Sequence, residues 1–181
     1  REIALRSYRL PETPVIVEVG AFMGRSSALL AGARRRRGSG RGHAIDPFDC
    51  SGDDFSIPHY EKLLKDSDAT TLEGAFRNHM RRLGLEQWVE VHKGTSFDIV
   101  AGWNQPIDLL LLDGDQRPEI ARKSYELWIP FLKKGGQLIM HNTGEREYAE
   151  GHDGSYRLAK EEILPPKFSD KRVIQYTLFA N

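Results

Sequence analysis

The alternation of short apolar runs with helical segments constrains the fold of this chain more than any other feature. Val15–Val19 and Asp108–Leu112 are nearly continuous apolar runs, a pattern typical of strands buried on both faces of a parallel sheet. Further strands are predicted at 43–45, 88–92 and 137–140, and helices at 26–33, 71–83, 118–132 and 156–164. This order predicts an α/β fold with a doubly wound, mostly parallel sheet.

The remaining segments complete this picture. Residues 172–179 alternate in polarity and predict a terminal antiparallel strand, whereas the basic run Arg34–Arg37 is interpreted as a solvated helix end. Residues 48–68 are polar and contain Gly, Pro and Ser, which favours an insertion or lid, and the aromatic residues Phe48, Phe55 and Tyr60 are candidates to line it towards an acceptor. A length of 181 residues suits one domain, so residues 1–181 are predicted to form a single unit.

Charge and cysteine content narrow the classes of partner. The chain has 26 basic and 26 acidic residues, so we expect no general attraction to nucleic acid or to an anionic membrane surface. The apolar runs are too short to span a bilayer. Cys50 is the only cysteine, which excludes a disulfide framework and favours the cytoplasm. A small-molecule partner is expected, and a homo-oligomer is left open.

The turn after the first strand is the first candidate ligand site, because ligands of open α/β sheets bind beyond the carboxyl ends of the strands. Gly20 permits a tight turn, Gly24 a close approach of ligand to backbone, and Ser26 opens a helix whose amides can bind an anion. Glu18 needs a cationic or hydrogen-bonding partner if it is buried. The spacing differs from G-x-G-x-x-G and suits a ligand with an ammonium group; a plain turn with a solvated Glu18 is the alternative.

Two further strand ends carry residues suited to an adenosine group. Asp46 can accept hydrogen bonds from both ribose hydroxyls, although an ordinary Asp-Pro turn is also compatible with it. Ser96, in Gly94-Thr-Ser96, lies where an adenine ring would bind, although the segment alone is an ordinary turn.

The ends of the fourth and fifth strands carry candidate metal ligands. Asp113-Gly-Asp115 follows the most apolar strand, and His141-Asn142 follows the next. The oxygens of Asp113 and Asn142 are of the type that Mg²⁺ prefers, with water and substrate oxygens completing the coordination. A hydrogen-bonded polar loop without metal is the alternative.

Taken in order, these motifs resemble catechol O-methyltransferase-like enzymes and, more closely, the methyltransferase 24 family. The resemblance covers residues 14–143 and implies a Rossmann-like class I methyltransferase that uses S-adenosylmethionine. It implies that the residues matching Glu18, Gly20 and Ser26 surround the methionine part of the cofactor, and that those matching Asp46 and Ser96 hold its ribose and adenine. The residue matching Asp113 lies near the donor methyl group and, in metal-dependent members, binds Mg²⁺.

Two positions depart from the family pattern. Gln116 replaces a histidine often proposed as the general base, and a glutamine cannot take up a proton at neutral pH. His141 stands where an acidic residue is expected, so a divalent metal (Mg²⁺ or Mn²⁺) becomes a weaker expectation. His141 is itself a candidate base, as is His152, because imidazole titrates near neutral pH. A purely structural role is the alternative for both.

The leading hypothesis is an O-methyltransferase that acts on the hydroxyl group of a small molecule, with Asp113 and His141 as catalytic residues. Two alternatives stay open. One is a cofactor-binding domain that has lost its catalytic base, as Gln116 suggests. The other is a nucleotide-dependent oxidoreductase of the same topology, against which the missing third glycine argues.

Overall fold

A seven-stranded sheet forms the centre of the structure, a computed structural model that describes all residues from 1 to 181. The strands are β1 (Val15–Val19), β2 (Arg41–Asp46), β3 (Val89–Lys93), β4 (Ile107–Leu112), β5 (Leu132–His141), β6 (Arg172–Ile174) and β7 (Thr177–Ala180). Their order across the sheet is β3-β2-β1-β4-β5-β7-β6. The first five are parallel to one another, and β7 pairs antiparallel with both β5 and β6.

Helices cover both faces of this sheet. They are α1 (Glu2–Arg9), α2 (Arg25–Arg37), α3 (Ile57–Lys65), α4 (Leu72–Arg82), α5 (Ser96–Ala101), α6 (Pro118–Trp128) and α7 (Gly154–Glu161). On one face, Ile16 and Leu109 pack with Leu30 of α2. On the other, Leu110 packs in a larger cluster with Trp128 of α6 and Leu158 of α7. Successive strand residues point to opposite faces, so continuous apolar strands are what this two-sided burial requires.

The predicted fold class is confirmed: the sheet is doubly wound and mostly parallel. The predicted antiparallel terminal strand is confirmed as β7, which pairs with β5; the segment 172–179 also contains β6, so it forms a hairpin and not one continuous strand. The predicted helix 118–132 ends at Trp128 and continues as a 3₁₀ turn over 129–131, where Pro130 has no amide hydrogen to donate. Helices α1, α3 and α5 were not predicted.

Arg34 corrects the interpretation of the basic run as a solvated helix end. Arg35, Arg36 and Arg37 are exposed, but the Arg34 side chain is fully buried. Its guanidinium donates hydrogen bonds to the carbonyl oxygens of Ser7 and Pro11, at 2.8 and 2.9 Å. Arg34 therefore fastens the end of α1 to α2.

The segment 48–68 contains α3, none of whose residues is buried. It lies over the carboxyl edge of the sheet, where Tyr60 lines the cavity described below. None of the helices has the length and apolar content that crossing a bilayer requires.

Candidate functional site

A cavity opens at the carboxyl ends of the parallel strands, where β2 and β4 flank β1 on opposite sides. The order of the strands reverses at β1, and this is the position where open α/β sheets bind ligands. The cavity encloses about 220 Å³. One water molecule occupies roughly 30 Å³ in the liquid, so the space suits a sizeable ligand.

Five of the residues singled out at the predicted strand ends line this cavity: Gly20, Asp46, Ser96, Asp113 and Asp115. They come from the ends of β1, β2 and β4 and from the start of α5. Five others do not line it: Glu18, Gly24, Ser26, His141 and Asn142. The topology therefore brings together the residues that follow different strands, while part of the glycine motif lies behind the cavity wall.

The turn between β1 and α2 needs glycine for packing as well as for conformation. Gly20 has a φ of +88°, and a β-carbon at Gly20 would lie 2.2 Å from the carbonyl oxygen of Asp113. Gly24 has a φ of +83°, and its β-carbon would lie 2.7 Å from the end of the Met80 side chain. Glycine at these positions lets the turn approach the end of β4 and lets α2 approach α4.

Glu18 is held beneath this turn and does not face the cavity. Its side chain is buried and accepts hydrogen bonds from the hydroxyls of Ser26 and Ser27 at the start of α2. Burial raises the pKa of Glu18 to about 7, even though both serine hydroxyls favour the ionised form. Ser26, expected to contact a ligand, thus has the carboxylate of Glu18 as its partner.

Asp46 organises two loops at the cavity. Its carboxylate accepts hydrogen bonds from the backbone amides of Phe22 and Phe48, at 2.8 and 2.7 Å. Both phenylalanines have positive φ angles, +47° and +55°, so Asp46 stabilises two strained turns. A carboxylate has about four acceptor positions, so Asp46 retains capacity for ligand hydroxyls. Burial raises its pKa.

Asp113 completes a group of three carboxylates around the turn. Burial, and then the charge of Glu18, raises the pKa of Asp113 well above its ordinary value. No cationic side chain contributes to the shifted pKa of Glu18, Asp46 or Asp113. Asp115 differs, because Arg117 pairs with both of its oxygens. Asp46 and Asp113 therefore face the cavity, with Glu18 behind the turn, and no protein cation pairs with them; a cationic ligand would favour the ionised form of all three carboxyls.

We expect the free energy of unfolding of the ligand-free chain to fall as pH rises from 4.5 to about 7, the ordinary and raised pKa values of Glu18. In this window the folded state holds the proton and the unfolded state has lost it, so raising the pH favours unfolding. The contribution of Glu18 is about 3 kcal/mol, at roughly 1.4 kcal/mol per pKa unit. Urea denaturation at several pH values measures it.

Two variants test whether Glu18 causes this dependence of the free energy of unfolding on pH. Glu18→Gln keeps the shape of the side chain and should remove most of the contribution. Glu119→Gln, at an exposed position of α6, should leave the slope unchanged. A slope that is equal in the wild type and in Glu18→Gln contradicts the assignment to Glu18.

Ser96 occupies the far side of the cavity, at the start of α5. Its hydroxyl lies 2.8 Å from that of Ser124 and accepts a hydrogen bond from the indole nitrogen of Trp128 at 2.9 Å. Ser96 and Ser124 both line the cavity. A polar pair in a fixed orientation is thus present where the sequence predicts the adenine ring.

His141 and Asn142 lie at the end of β5, next to the end of β4. Leu112 is in register with Met140, so Asp113 and His141 follow at the same edge of the sheet. The Nδ1 atom of His141 lies 2.9 Å from the Thr177 hydroxyl. Burial, followed by the charge of Arg146, lowers the pKa of His141, so its imidazole is neutral at neutral pH.

Asn142 is engaged by a cation. Its side-chain oxygen accepts a hydrogen bond from Arg146 at 2.9 Å, and its backbone has a φ of +55°. A guanidinium at the oxygen expected to bind Mg²⁺ opposes a divalent cation there. Asp115, the other nearby carboxylate, is already paired with Arg117. The donor set therefore does not fit the metal site that the sequence suggests.

Gln116 is almost fully buried beside the cavity. Its side-chain nitrogen donates to the Gly114 carbonyl at 2.9 Å, and its side-chain oxygen has no hydrogen-bond partner. Gln116 also accepts a hydrogen bond from Gly154 through its backbone carbonyl. It is thus built into the loop that joins β4 to α6 and has no group that could act as a base.

Sequence reasoning missed Asp53. Asp53 lies 3.0 Å from the Nδ1 atom of His152, and both side chains are buried. This contact joins the segment 48–68 to the loop before α7. Tyr60 stacks on Phe22 with 4.5 Å between ring centroids and lines the cavity. Asp53 and His152 are 99 residues apart in the sequence, so no local pattern identifies the pair, whereas Tyr60 is among the aromatic residues of 48–68 that the sequence predicts to line a lid.

Comparison with known proteins gives a family match and structural neighbours. A family model described as a methyltransferase domain matches residues 17–143. The O-methyltransferase TomG from Streptomyces achromogenes, involved in tomaymycin synthesis and solved with S-adenosylmethionine, is 19% identical with a TM-score of 0.63. The similarity covers 99% of this chain and 78% of TomG.

Other solved structures share the fold at similar distance. An O-methyltransferase from Bacillus cereus in complex with S-adenosylhomocysteine is 16% identical and has a TM-score of 0.60. The similarity covers 99% of this chain and 76% of that enzyme. An rRNA methylase from Streptococcus thermophilus is 14% identical and has a TM-score of 0.57; the similarity covers 99% of this chain and 91% of that methylase. At these identities the likeness establishes the fold and leaves the methyl acceptor open.

Proposed function

Since the chain belongs to the methyltransferase 24 family of S-adenosylmethionine-dependent methyltransferase domains, we propose that it methylates a hydroxyl group on a small molecule. The observation that carries this proposal is the group of three carboxylates, Glu18, Asp46 and Asp113, which has no protein cation to balance it. S-adenosylmethionine carries a positive sulfonium and a positive ammonium group, so its charge complements this wall. When bound, it supplies an electrophilic methyl group on the sulfur.

The residues around the cavity can be assigned roles on this basis. Asp46 accepts hydrogen bonds from the ribose, and Ser96 lies at the adenine. Asp113 provides negative charge near the donor methyl group. Glu18 acts from behind the turn, where it orients Ser26 and adds negative charge. Gly20 and Gly24 shape the turn that carries these contacts.

A covering segment supports a small acceptor. Residues 48–68 place Tyr60 over the cavity, and the buried contact between Asp53 and His152 joins this segment to the loop before α7. A lid of this kind excludes water and aligns acceptor with donor, which is most of what an in-line methyl transfer requires. Balanced charge, with 26 acidic and 26 basic residues, favours a small molecule over RNA.

His141 is the base that best fits the geometry. It lies beside Asp113 at the sheet edge, and its lowered pKa keeps the imidazole free to accept a proton. Because Arg146 donates a hydrogen bond to the side-chain oxygen of Asn142, we assign no metal to activate the acceptor hydroxyl. Methyl transfer should therefore persist in excess chelator, and a loss of transfer that Mg²⁺ or Mn²⁺ restores would contradict this.

His141→Gln is expected to lower kcat by about 10²- to 10⁴-fold, the usual contribution of a positioned general base. The dissociation constant of S-adenosylmethionine should change little, because His141 is assigned to the acceptor hydroxyl and not to the cofactor. Calorimetry and steady-state assays on one preparation measure both quantities. His152→Gln is the comparison: the larger loss of kcat in that variant would move the role of base to His152.

The proposed function is tested by methyl transfer from labelled S-adenosylmethionine to a panel of acceptors. The panel contains hydroxylated aromatics, sugars and an rRNA fragment. Transfer to a hydroxylated small molecule supports the proposal, and transfer to RNA alone overturns the acceptor class. Cofactor binding without transfer to any acceptor supports the alternative suggested by Gln116, a binding domain without activity.

A further inference from the structure

A cluster of three potential metal ligands lies on the sheet, away from the cavity. His43 on β2 is in register with Glu90 on β3, and His92 follows Glu90 by two residues, so all three share one face. The His43 Nδ1 and His92 Nε2 atoms are 3.0 Å apart. The Glu90 carboxylate lies 3.7 Å from His92 Nε2 and 4.0 Å from His43 Nδ1. We call these three residues the edge cluster.

These distances match the ligand shell of a small transition-metal ion. Zn²⁺ binds imidazole nitrogen and carboxylate oxygen at roughly 2.0–2.2 Å, so two ligands at a tetrahedral angle are about 3.3 Å apart. The three observed distances, 3.0, 3.7 and 4.0 Å, bracket this value. Small side-chain movements would bring all three ligand atoms within bonding distance of one ion. Two imidazoles and one carboxylate favour Zn²⁺ over Mg²⁺ or Ca²⁺.

An aromatic residue, Trp103, packs against both imidazoles of the edge cluster. The Trp103 ring packs edge-on against His43, with 5.1 Å between centroids, and against His92 at 6.2 Å. The Trp103 indole donates to the Gln105 carbonyl at 2.7 Å, which fixes its orientation. The Glu90 side chain is 41% exposed, which leaves room for water as a fourth ligand. The exposed Arg41 guanidinium lies 3.6 Å from Glu90 Oε2, so Oε1, which faces His92, is the oxygen available to a metal ion.

We propose that His43, Glu90 and His92 form a structural Zn²⁺ site that ties β3, the edge strand of the sheet, to β2. No residue of β3 is fully buried, so packing secures this strand less than it secures its neighbours. None of the three ligands lines the cavity, and the site therefore acts on stability rather than on methyl transfer. A hydrogen bond between two neutral imidazoles is the competing explanation for the 3.0 Å contact.

The test is Zn²⁺ binding to the tag-free chain after treatment with chelator and dialysis. We expect one equivalent to bind with a micromolar or lower dissociation constant and to raise the melting temperature, whereas Mg²⁺ does neither. Co²⁺ in place of Zn²⁺ should give visible absorption bands of a tetrahedral or five-coordinate site. If no Zn²⁺ binds even at a concentration of about 100 μM, the 3.0 Å contact is only a hydrogen bond between imidazoles, and the proposal is wrong.

Matched variants locate the ion. His92→Ala should weaken binding by at least about tenfold, the scale of loss when groups that support a metal site are removed. His59→Ala, at an exposed position of α3, and Asp113→Asn, in the cavity, should keep the wild-type affinity. Glu90→Gln keeps the size of the side chain but removes its charge, and it serves as the second ligand variant if His92→Ala does not fold. Unchanged affinity in a folded ligand variant would overturn the proposal.

Discussion

Asp113→Asn is expected to weaken the binding of S-adenosylmethionine at pH 8 by about 2–4 kcal/mol, or roughly 30- to 1000-fold in Kd. Asp113 lines the cavity and has no cationic partner in the protein, so its charge is available to a cationic ligand. S-adenosylhomocysteine lacks the sulfonium charge, and its affinity should fall less. Calorimetry with both ligands measures the difference.

Asp115→Asn is the matched control for this prediction. Asp115 also lines the cavity, two residues further along, but Arg117 already balances its charge. We expect its effect on S-adenosylmethionine to stay within about fivefold, since a partly exposed pair contributes no more than about 1 kcal/mol. Equal losses in the two variants would show that loop structure, and not unbalanced charge, governs binding.

The same site predicts a release of protons on binding. Burial raises the pKa of Glu18 to about 7, so Glu18 holds a proton over part of the neutral range in the free chain, and burial raises the pKa of Asp113 as well. A cation nearby favours the ionised forms and lowers these pKa values. The observed enthalpy of binding at pH 7 should therefore depend on the ionisation enthalpy of the buffer, and this dependence should weaken in Asp113→Asn.

Gly20→Ala is expected to destabilise the fold by about 3 kcal/mol or more, the range of severe single substitutions. Its β-carbon would lie 2.2 Å from the Asp113 carbonyl oxygen, and the backbone would have to keep a φ of +88°. Because both obstacles are in the backbone, they cannot be relieved by rotating a side chain. Urea denaturation of the ligand-free chain measures the change.

Gly32→Ala provides the control. Gly32 lies within α2, and a β-carbon there would have no neighbour within 4 Å. Alanine is favoured over glycine inside helices by about 0.5–1 kcal/mol, so this variant should be slightly more stable than the wild type. A Gly20→Ala chain that is as stable as the wild type would contradict the packing role assigned to the turn.

The sheet could be predicted because its strands are buried on both faces. Val15–Val19 was predicted with both ends correct, since Pro14 and Gly20 bound an apolar run. Helix α3 has an apolar stripe of Ile57, Tyr60 and Leu64, but it spans only nine residues and follows a stretch that contains Gly, Pro and Ser, so the segment was interpreted as an insertion or lid. The hairpin of β6 and β7 was predicted as one strand because residues 172–179 contain neither glycine nor proline at the turn.

In the candidate site, too, some residues could be placed from the sequence and some contacts could not. Asp46 and Asp113 could be placed at the cavity because both end parallel strands, and topology fixes where those ends meet. The contact of Glu18 with Ser27, the pairing of Asn142 with Arg146 and the burial of Asp53 against His152 depend on side-chain packing. The edge cluster likewise requires the register of β2 and β3, which the sequence does not specify.

The central claim is that the unbalanced carboxylates at the end of β1 and its neighbours bind S-adenosylmethionine. Calorimetric titration of the chain with S-adenosylmethionine and, separately, with NAD tests it most directly. We predict micromolar binding of S-adenosylmethionine and none of NAD, because the turn lacks the third glycine of a dinucleotide site and its wall is negative. Binding of NAD, or no binding of S-adenosylmethionine by a folded chain, would contradict the account.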